Sequence, residues 1–268
     1  MHPTDDLEKV LGFNWVYEPE VVSAILNLAE EGDFCIDAGA CIGYHSLLMS
    51  RRVGPVGAVM AFEPDPRTQK KIEANILLNN IGNILVMPMP LLDKVAEFQF
   101  FSYPNLCGYS SFMGYKDMPC DPLMLRTNYL DNIFDDECQI KLLKIDCEGV
   151  EDKILHGAER LMRGGKIDNV IVEFNFKILR QLEERHYLSD WAMREFMADC
   201  GYNCFFLFQS GMPPALLPRG FKIELNSERF HYNFLFSRKE SFPEWKSWSL
   251  KKPVWISPYD FPVEYAGS

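Results

Sequence analysis

The sequence predicts an α/β fold, a mostly parallel sheet with helices on both faces. Three observations carry this reading. Apolar runs of strand length alternate with stretches of helical periodicity along most of the chain. The first run, Phe34–Ala38, passes through a turn punctuated by Gly39 and Gly43 into a helical stretch at Tyr44–Arg52. The second run, Gly57–Phe62, ends in Glu63, 26 positions after Asp37. Strands that alternate with helices pair in parallel through right-handed crossovers.

Each element has its own signal. Residues 1–31 form a lead-in and a helix over Glu18–Glu31, where Val21, Val22, Ile25, Leu26 and Leu28 recur at helical spacing and Gly32 stops the pattern. A helix over Arg67–Asn80 places Ile72, Ile76 and Leu77 inward, and Ile84–Met87 is the third strand. Glu97–Phe101 is a strand outside that rhythm. Ser102–Asn128, rich in Pro, Gly, Tyr and Ser, reads as one long irregular loop of the kind that forms a lid or a substrate wall. Lys141–Ile145 is the fourth parallel strand, Glu151–Met162 a helix, and Asn169–Phe174 the fifth strand. Ser189 caps a helix running to Cys200. Asn203–Phe208 and Phe230–Phe236 close the sheet as an antiparallel pair. Residues 237–268, with Trp245, Trp248 and Trp255, form an arm packed across the core domain of residues 32–236.

Composition limits the functions open to the chain. Its 268 residues are 47% hydrophobic, enough for a sizeable core. A net charge of −11 argues against general nucleic-acid binding, which needs a basic surface. The eight cysteines are irregularly spaced with no C-x-x-C pair, so they read as free thiols in a reducing compartment. The acidic N-terminus has no signal-peptide core, and no apolar stretch is long enough to span a bilayer; the expected location is cytoplasmic.

Two clusters carry chemistry. The turn after Asp37 offers a close backbone approach at Gly39, Ala40 and Gly43, and the helix start beyond it leaves free N–H groups for an anion. Its D-x-G-x-x-x-G pattern is not the G-x-G-x-x-G of dinucleotide folds, which speaks against NAD. Glu63, followed by Pro64, stands where an acid accepts both hydroxyls of a ribose lying across the first turn. The second cluster is Lys144–Glu151, where Asp146, Glu148 and Glu151 fall within six residues of a strand end. Like charges this close raise one another's pKa, which suits a general base. Glu151 also reads as a helix N-terminal acid held by the dipole. Glu173 and Asn175 end the neighbouring strand and join the same pocket.

Taken together, IDAGACIGYHS, AFEPDP, NYLDNI, LLKIDCEGVE and IVEFN resemble, in order and spacing, the FkbM family of S-adenosylmethionine-dependent methyltransferases. The resemblance covers Tyr17 to Phe236. It implies a Rossmann-like class I methyltransferase with a seven-stranded sheet whose last strand is antiparallel. It also implies O-methylation of a hydroxyl on a small molecule or sugar, with S-adenosyl-L-homocysteine as the spent cofactor. By position, Asp37, Gly39, Ala40 and Gly43 form the cofactor turn, Glu63 and Pro64 the ribose end, and Met89, within the loop Met87–Leu91, the adenine wall. Asp146 is the first candidate base, with Glu148 and Glu173 beside it. One departure is Cys41, where family members commonly carry Asn. His45 is expected on the helix surface.

Tyr109, Ser110, Ser111 and Asn175 are the expected acceptor contacts. Three alternatives stand beside this reading. A magnesium-assisted O-methyltransferase of catechol type would use Asp146, Glu173 and Asn175 as ligands. A catalytically silent module would keep only the cofactor pocket. An NAD(P) dehydrogenase lacks its glycine fingerprint here.

Overall fold

A computed structural model describes residues 16–103, 110–112, 119–175, 190–221 and 231–246. The expected cap Ser189, the acceptor contact Tyr109 and the arm residues Trp248 and Trp255 lie outside them.

In chain order the helices are α1 (Pro19–Leu28), α2 (Tyr44–Val53), α3 (Pro66–Leu78), α4 (Leu130–Ile133), α5 (Glu151–His156), α6 (Glu159–Arg163) and α7 (Asp190–Asp199). The strands are β1 (Phe34–Ala38), β2 (Ala58–Phe62), β3 (Ile84–Met87), β4 (Glu97–Ser102), β5 (Asp121–Arg126), β6 (Ile140–Ile145), β7 (Ile167–Asn175), β8 (Asn203–Phe206), β9 (Ala215–Leu217) and β10 (His231–Ser237).

The main sheet has eight strands in the order β3-β2-β1-β6-β7-β10-β8-β9. The five from β3 to β7 are parallel, and β10 is antiparallel to both β7 and β8. The Rossmann-like class and the antiparallel last strand are as expected. The strand count is one higher, because the short β9 pairs with β8 at the edge.

Side chains alternate across the sheet. Cys35, Ile171 and Leu235 face α1 and α2, where they meet Val21, Val22, Ile25, Leu48 and Met49. Ile36, Val170, Val172, Phe234 and Phe236 face the other layer, with Ile154, Leu155, Leu161, Met193 and Met197. A period of two along buried strands produces this split.

Two further departures have local causes. The helix expected over Glu151–Met162 is broken into α5 and α6 at Gly157–Ala158. A Cβ on Gly157 would lie 2.1 Å from the Leu92 carbonyl oxygen, so the loop after β3 packs directly on helix backbone there. The stretch Ser102–Asn128 is not one loop. Its last third forms β5, which pairs along its whole length with β4 to make a separate two-stranded ribbon.

The C-terminal side docks on α1. The Trp245 indole donates to Ser23 Oγ (3.1 Å) and to the Gly211 carbonyl (3.2 Å).

The sheet order reverses at β1, where the chain runs outward to β2 and β3 on one side and to β6 and β7 on the other. A crevice therefore opens at the carboxyl ends of β1 and β6, the place where open α/β sheets bind ligands.

Candidate active site

The turn after β1 is built by close backbone approach. Gly39 has φ +80°, and a Cβ there would fall 1.8 Å from the Asp146 carbonyl oxygen. The N–H groups of Gly39 and Ala40 both donate to the Phe62 carbonyl (3.1 Å each), and Asp146 N–H donates to the Ala38 carbonyl (3.0 Å). The ends of β1, β2 and β6 are thereby tied into one ledge. Cys41 is also left-handed, at φ 48°. Asn tolerates that conformation better than most residues, a backbone reason for the Asn that the family resemblance leads one to expect there.

Asp37 lies fully buried beneath the ledge. Its Oδ2 accepts from Ser46 Oγ at 2.6 Å, and Oδ1 lies 3.8 Å from Lys144 Nζ. Burial pushes its pKa up against the pull of Lys144 and Ser46.

At the end of β2 the Glu63 carboxylate turns back toward the ledge. Oε2 accepts from Cys41 N–H and Oε1 from Asp65 N–H, each at 2.9 Å. Burial is the main cause that moves its pKa up to about 8. Pro64 follows it, half-buried. The Glu63 N–H donates to the Met87 carbonyl (3.1 Å), as does Met89 N–H (2.8 Å), so the loop carrying Met89 lies beside Glu63.

Beyond β6 the chain holds its acids apart by role. Lys144, 2% exposed, places Nζ 3.0 Å from Asp146 Oδ2. Burial alone would raise Asp146; the Lys144 ammonium and a hydrogen bond with Glu173 outweigh it and hold Asp146 below the usual carboxylate range. Burial, then the charges of Asp146 and Glu18, drive Glu173 far the other way. The hydrogen bond between the two acids couples their titrations. One oxygen each of Asp146, Glu148 and Glu173 lies within 4.8 Å of the others. Glu148 sits at φ 53° and Gly149 at φ 101°. Glu151 is structural: its carboxylate accepts from Cys147 N–H (3.0 Å) and Gly149 N–H (3.0 Å to Oε2) and so fastens this left-handed bend.

The sequence reading misplaces His45. It is 6% exposed, with its ring against Tyr17 and Tyr44. The first turn of α2 points into the crevice, not to solvent. Nε2 of His45 faces Oε2 of Glu18 at 3.6 Å, and neither atom has a hydrogen-bond partner. Glu18 is itself left-handed (φ 45°), which turns its side chain inward instead of out along α1. Asn233, in register with Glu173, donates to Glu18 Oε1 (3.3 Å) and Glu20 Oε1 (3.4 Å). Glu18 thus stands beside Glu173. Burial, then Asp146, raises its pKa to about 8, while burial and Lys144 keep His45 neutral. Tyr17 shares this pocket: Glu18, Glu173 and Asp146 all push its phenol upward. In the sequence Glu18 reads only as the first residue of the expected helix; the local clue is an acid placed directly before Pro19 at a helix start.

Of the expected acceptor contacts, Ser110 and Ser111 lie at the base of the β4–β5 insertion. Ser110 Oγ accepts from Tyr103 N–H (3.1 Å). Ser111 is 1% exposed and its backbone is bridged to Phe101. Both therefore stabilise the base of the β4–β5 insertion. Asn175 ends β7 opposite His231.

The crevice thus combines a ledge whose Gly39 admits no side chain, an acid beside it, and buried polar atoms of Glu18 and His45 without hydrogen-bond partners. The comparisons point the same way. Residues 37–204 match the family model described as "Methyltransferase FkbM domain". "Methyltransferase 1" of Beauveria bassiana is 28% identical over 163 residues, covering 53% of this chain. "Methyltransferase sdnD" of Sordaria araneosa is 28% identical over 171 residues, covering 52%. The aligned regions span 65% of the length of each of these relatives. In fold, the chain is similar to a crystal structure of an FkbM methyltransferase from Methylobacillus flagellatus (TM-score 0.50, 15% identity, 84% of this chain and 49% of that one). With the family model matched over more than half of its length, the chain belongs to the FkbM methyltransferase family.

Proposed function

We propose that the protein is an S-adenosylmethionine-dependent O-methyltransferase acting on a hydroxyl of a small molecule or sugar. The observation that carries this reading is Glu63, a buried carboxylate held by two backbone N–H groups over the Gly39–Gly43 ledge. Ionised, it retains lone pairs for two ribose hydroxyls. Gly39, packed on the Asp146 carbonyl, and Ala40 set the bend over which the nucleoside would lie, and the Met89 loop flanks the adenine. Glu18 Oε2 and His45 Nε2, without partners, supply an acceptor and a ring nitrogen for the cofactor's ammonium and carboxylate. When bound, the cofactor supplies an electrophilic methyl on sulfur.

The chain's own task is to place a hydroxyl in line with that methyl, exclude water and accept the hydroxyl proton. Asp146 is the acceptor: Lys144 and Glu173 keep it ionised. The Asp146–Glu173 pair then holds one more proton than before, and it releases that proton to solvent before the next turnover. Glu148 is the second carboxylate in reach.

Calorimetry with S-adenosyl-L-homocysteine tests the cofactor site. Transfer of labelled methyl to a panel of hydroxylated acceptors, with amines as controls, tests the reaction. Binding without transfer to any acceptor would leave a silent cofactor-binding module.

A second reading, metal assistance, is favoured by the grouping of Asp146, Glu148 and Glu173. It adds Glu148 to Asp146 and Glu173 of the expected ligand set; the side chain of Asn175, the third expected ligand, lies outside the described ones. Loss of activity in a chelator, restored by magnesium, would select it over the metal-free mechanism.

A further inference from the structure

The segment after Glu63 does more than begin α3. Asp65 is 2% exposed and caps that helix, its Oδ1 accepting from Arg67 N–H at 2.9 Å. A cap needs one oxygen only. The other, Oδ2, accepts from the Ser102 hydroxyl, which is fully buried. Arg67 completes the contact: Nη2 reaches Ser102 Oγ, and Nη1 lies 2.8 Å from Asp121 Oδ2.

Ser102 is the last residue of β4 and Asp121 the first of β5, and the two stand opposite in register. Asp65 and Arg67 therefore grip both strands of the ribbon where residues 103–120 depart from it. That ribbon forms no ladder with the main sheet. On its other side, Asp65 N–H is one of the two donors that hold Glu63. One residue thus bonds the acid at the ribose end of the cofactor site and the base of the insertion expected to face the acceptor. Arg67 is substantially exposed and its ion pair adds little. The buried hydroxyl–carboxylate bond is the strong member.

We infer that Asp65 is a positioning residue that registers the β4–β5 ribbon on the cofactor's ribose end, so that the acceptor wall is set once the cofactor is bound. This rests on the assignment of Glu63 to the ribose. It makes binding ordered, cofactor before acceptor, and gives the Asp65–Ser102 bond a role that neither helix capping nor ribbon stability needs.

Amide hydrogen exchange of the full chain tests it, read on peptides covering β4 and β5 with and without S-adenosyl-L-homocysteine. In the wild type the ligand slows exchange there by about fivefold or more. In Asp65→Asn and Ser102→Ala the ligand still binds within about threefold of wild type, and the ribbon's exchange no longer responds to it. A merely structural contact would change the basal rate and leave the response intact. Ser102→Ala keeps the helix cap and the Glu63 contact, so it remains informative if Asp65→Asn folds poorly. A wild-type ribbon indifferent to ligand, or a full response in Ser102→Ala, overturns the inference. Failure of the ligand to bind any of the proteins would strike the cofactor reading. That outcome overturns the inference as well, since the basal exchange rate alone does not separate a positioning contact from a structural one.

Discussion

The position a Cβ would take on Gly39 lies 1.8 Å from the carbonyl oxygen of Asp146, so the turn after the first strand and the end of the fourth parallel strand meet as bare backbone. Nothing there can give way, since the obstructing atom is main chain. Gly39 is left-handed as well. Gly39→Ala should therefore cost more than about 2 kcal/mol and abolish cofactor binding. Gly82, with nothing within 4 Å of an added Cβ, is the control. Gly82→Ala should stay within about 0.5 kcal/mol of wild type in urea unfolding. Equal losses in the two variants would remove the special status of the ledge.

Lys144 is the cation of the buried cluster, 3.0 Å from Asp146 and 3.8 Å from Asp37. Burial would lower its pKa, but Asp146, Asp37 and Glu18 more than reverse this and keep it charged. Lys144→Met leaves two buried carboxylates without compensation. The expected loss is about 3–5 kcal/mol, larger at pH 8 than at pH 5, where the carboxylates can take up protons instead. Denaturant titrations at the two pH values check this.

Much of the fold was legible because strands and helices carry their periods locally. The places of Asp37, Glu63 and Asp146 at the carboxyl ends of β1, β2 and β6 were legible because each acid closes an apolar run ahead of a Gly or Pro turn. What stayed hidden depends on long-range packing. His45 sits in a helix whose mean pattern looks polar, and only the sheet beneath and Tyr17 above bury it. Glu18 reads as a helix-start acid until its left-handed backbone turns it inward. β5 reads D-P-L-M-L-R, with a Pro near its start and no buried alternation, and it exists because β4 offers an edge. The break at Gly157 answers to Leu92, 65 residues away in the chain, and no local signal could announce it.

Glu63→Ala should weaken S-adenosyl-L-homocysteine binding by about 2–3 kcal/mol, or about 30- to 150-fold, because two charge-assisted hydrogen bonds to the ribose are lost. Since Glu63 has a pKa near 8 without ligand and binds hydroxyls best when ionised, binding at pH 7 should release a proton. Calorimetry in two buffers of different ionisation enthalpy measures that release. No release in the wild type, with affinity unchanged in the variant, would take Glu63 out of the site.

Asp146→Asn should separate binding from turnover. The amide keeps the shape of the carboxylate but cannot accept the hydroxyl proton. Turnover should fall by about 10²- to 10⁴-fold while affinity for the spent cofactor changes less than about tenfold. Glu173→Gln keeps a donor to Asp146 but removes the titratable carboxyl beside it. It should shift the acidic limb of the rate profile without removing activity. Full turnover in Asp146→Asn would pass the base role to Glu148.

The pH dependence of stability follows from the buried acids. Glu18 and Glu63 have pKa values near 8 and Glu151 near 7 in the folded chain, all raised from 4.5 chiefly by burial. Below pH 4.5 they are protonated whether the chain is folded or not, and they contribute no pH dependence. From 4.5 to 8 the unfolded chain has released protons that the folded chain retains, so stability falls as pH rises. Asp146, held low, acts oppositely but only at acid pH, where its stabilisation is lost as pH falls through its depressed pKa. His45, kept neutral by burial, opposes the glutamates only up to its ordinary value of 6.5. Between pH 6.5 and 8 the glutamates act alone, and the melting temperature should drop across that interval. Work at about 0.3 M salt screens the surface repulsion of a chain with net charge −11 while leaving the buried groups unaffected. S-adenosyl-L-homocysteine, by satisfying ionised Glu63, should raise the melting temperature more at pH 8 than at pH 6.5. A melting temperature flat or rising over that interval would mean these glutamates are already ionised in the unliganded protein.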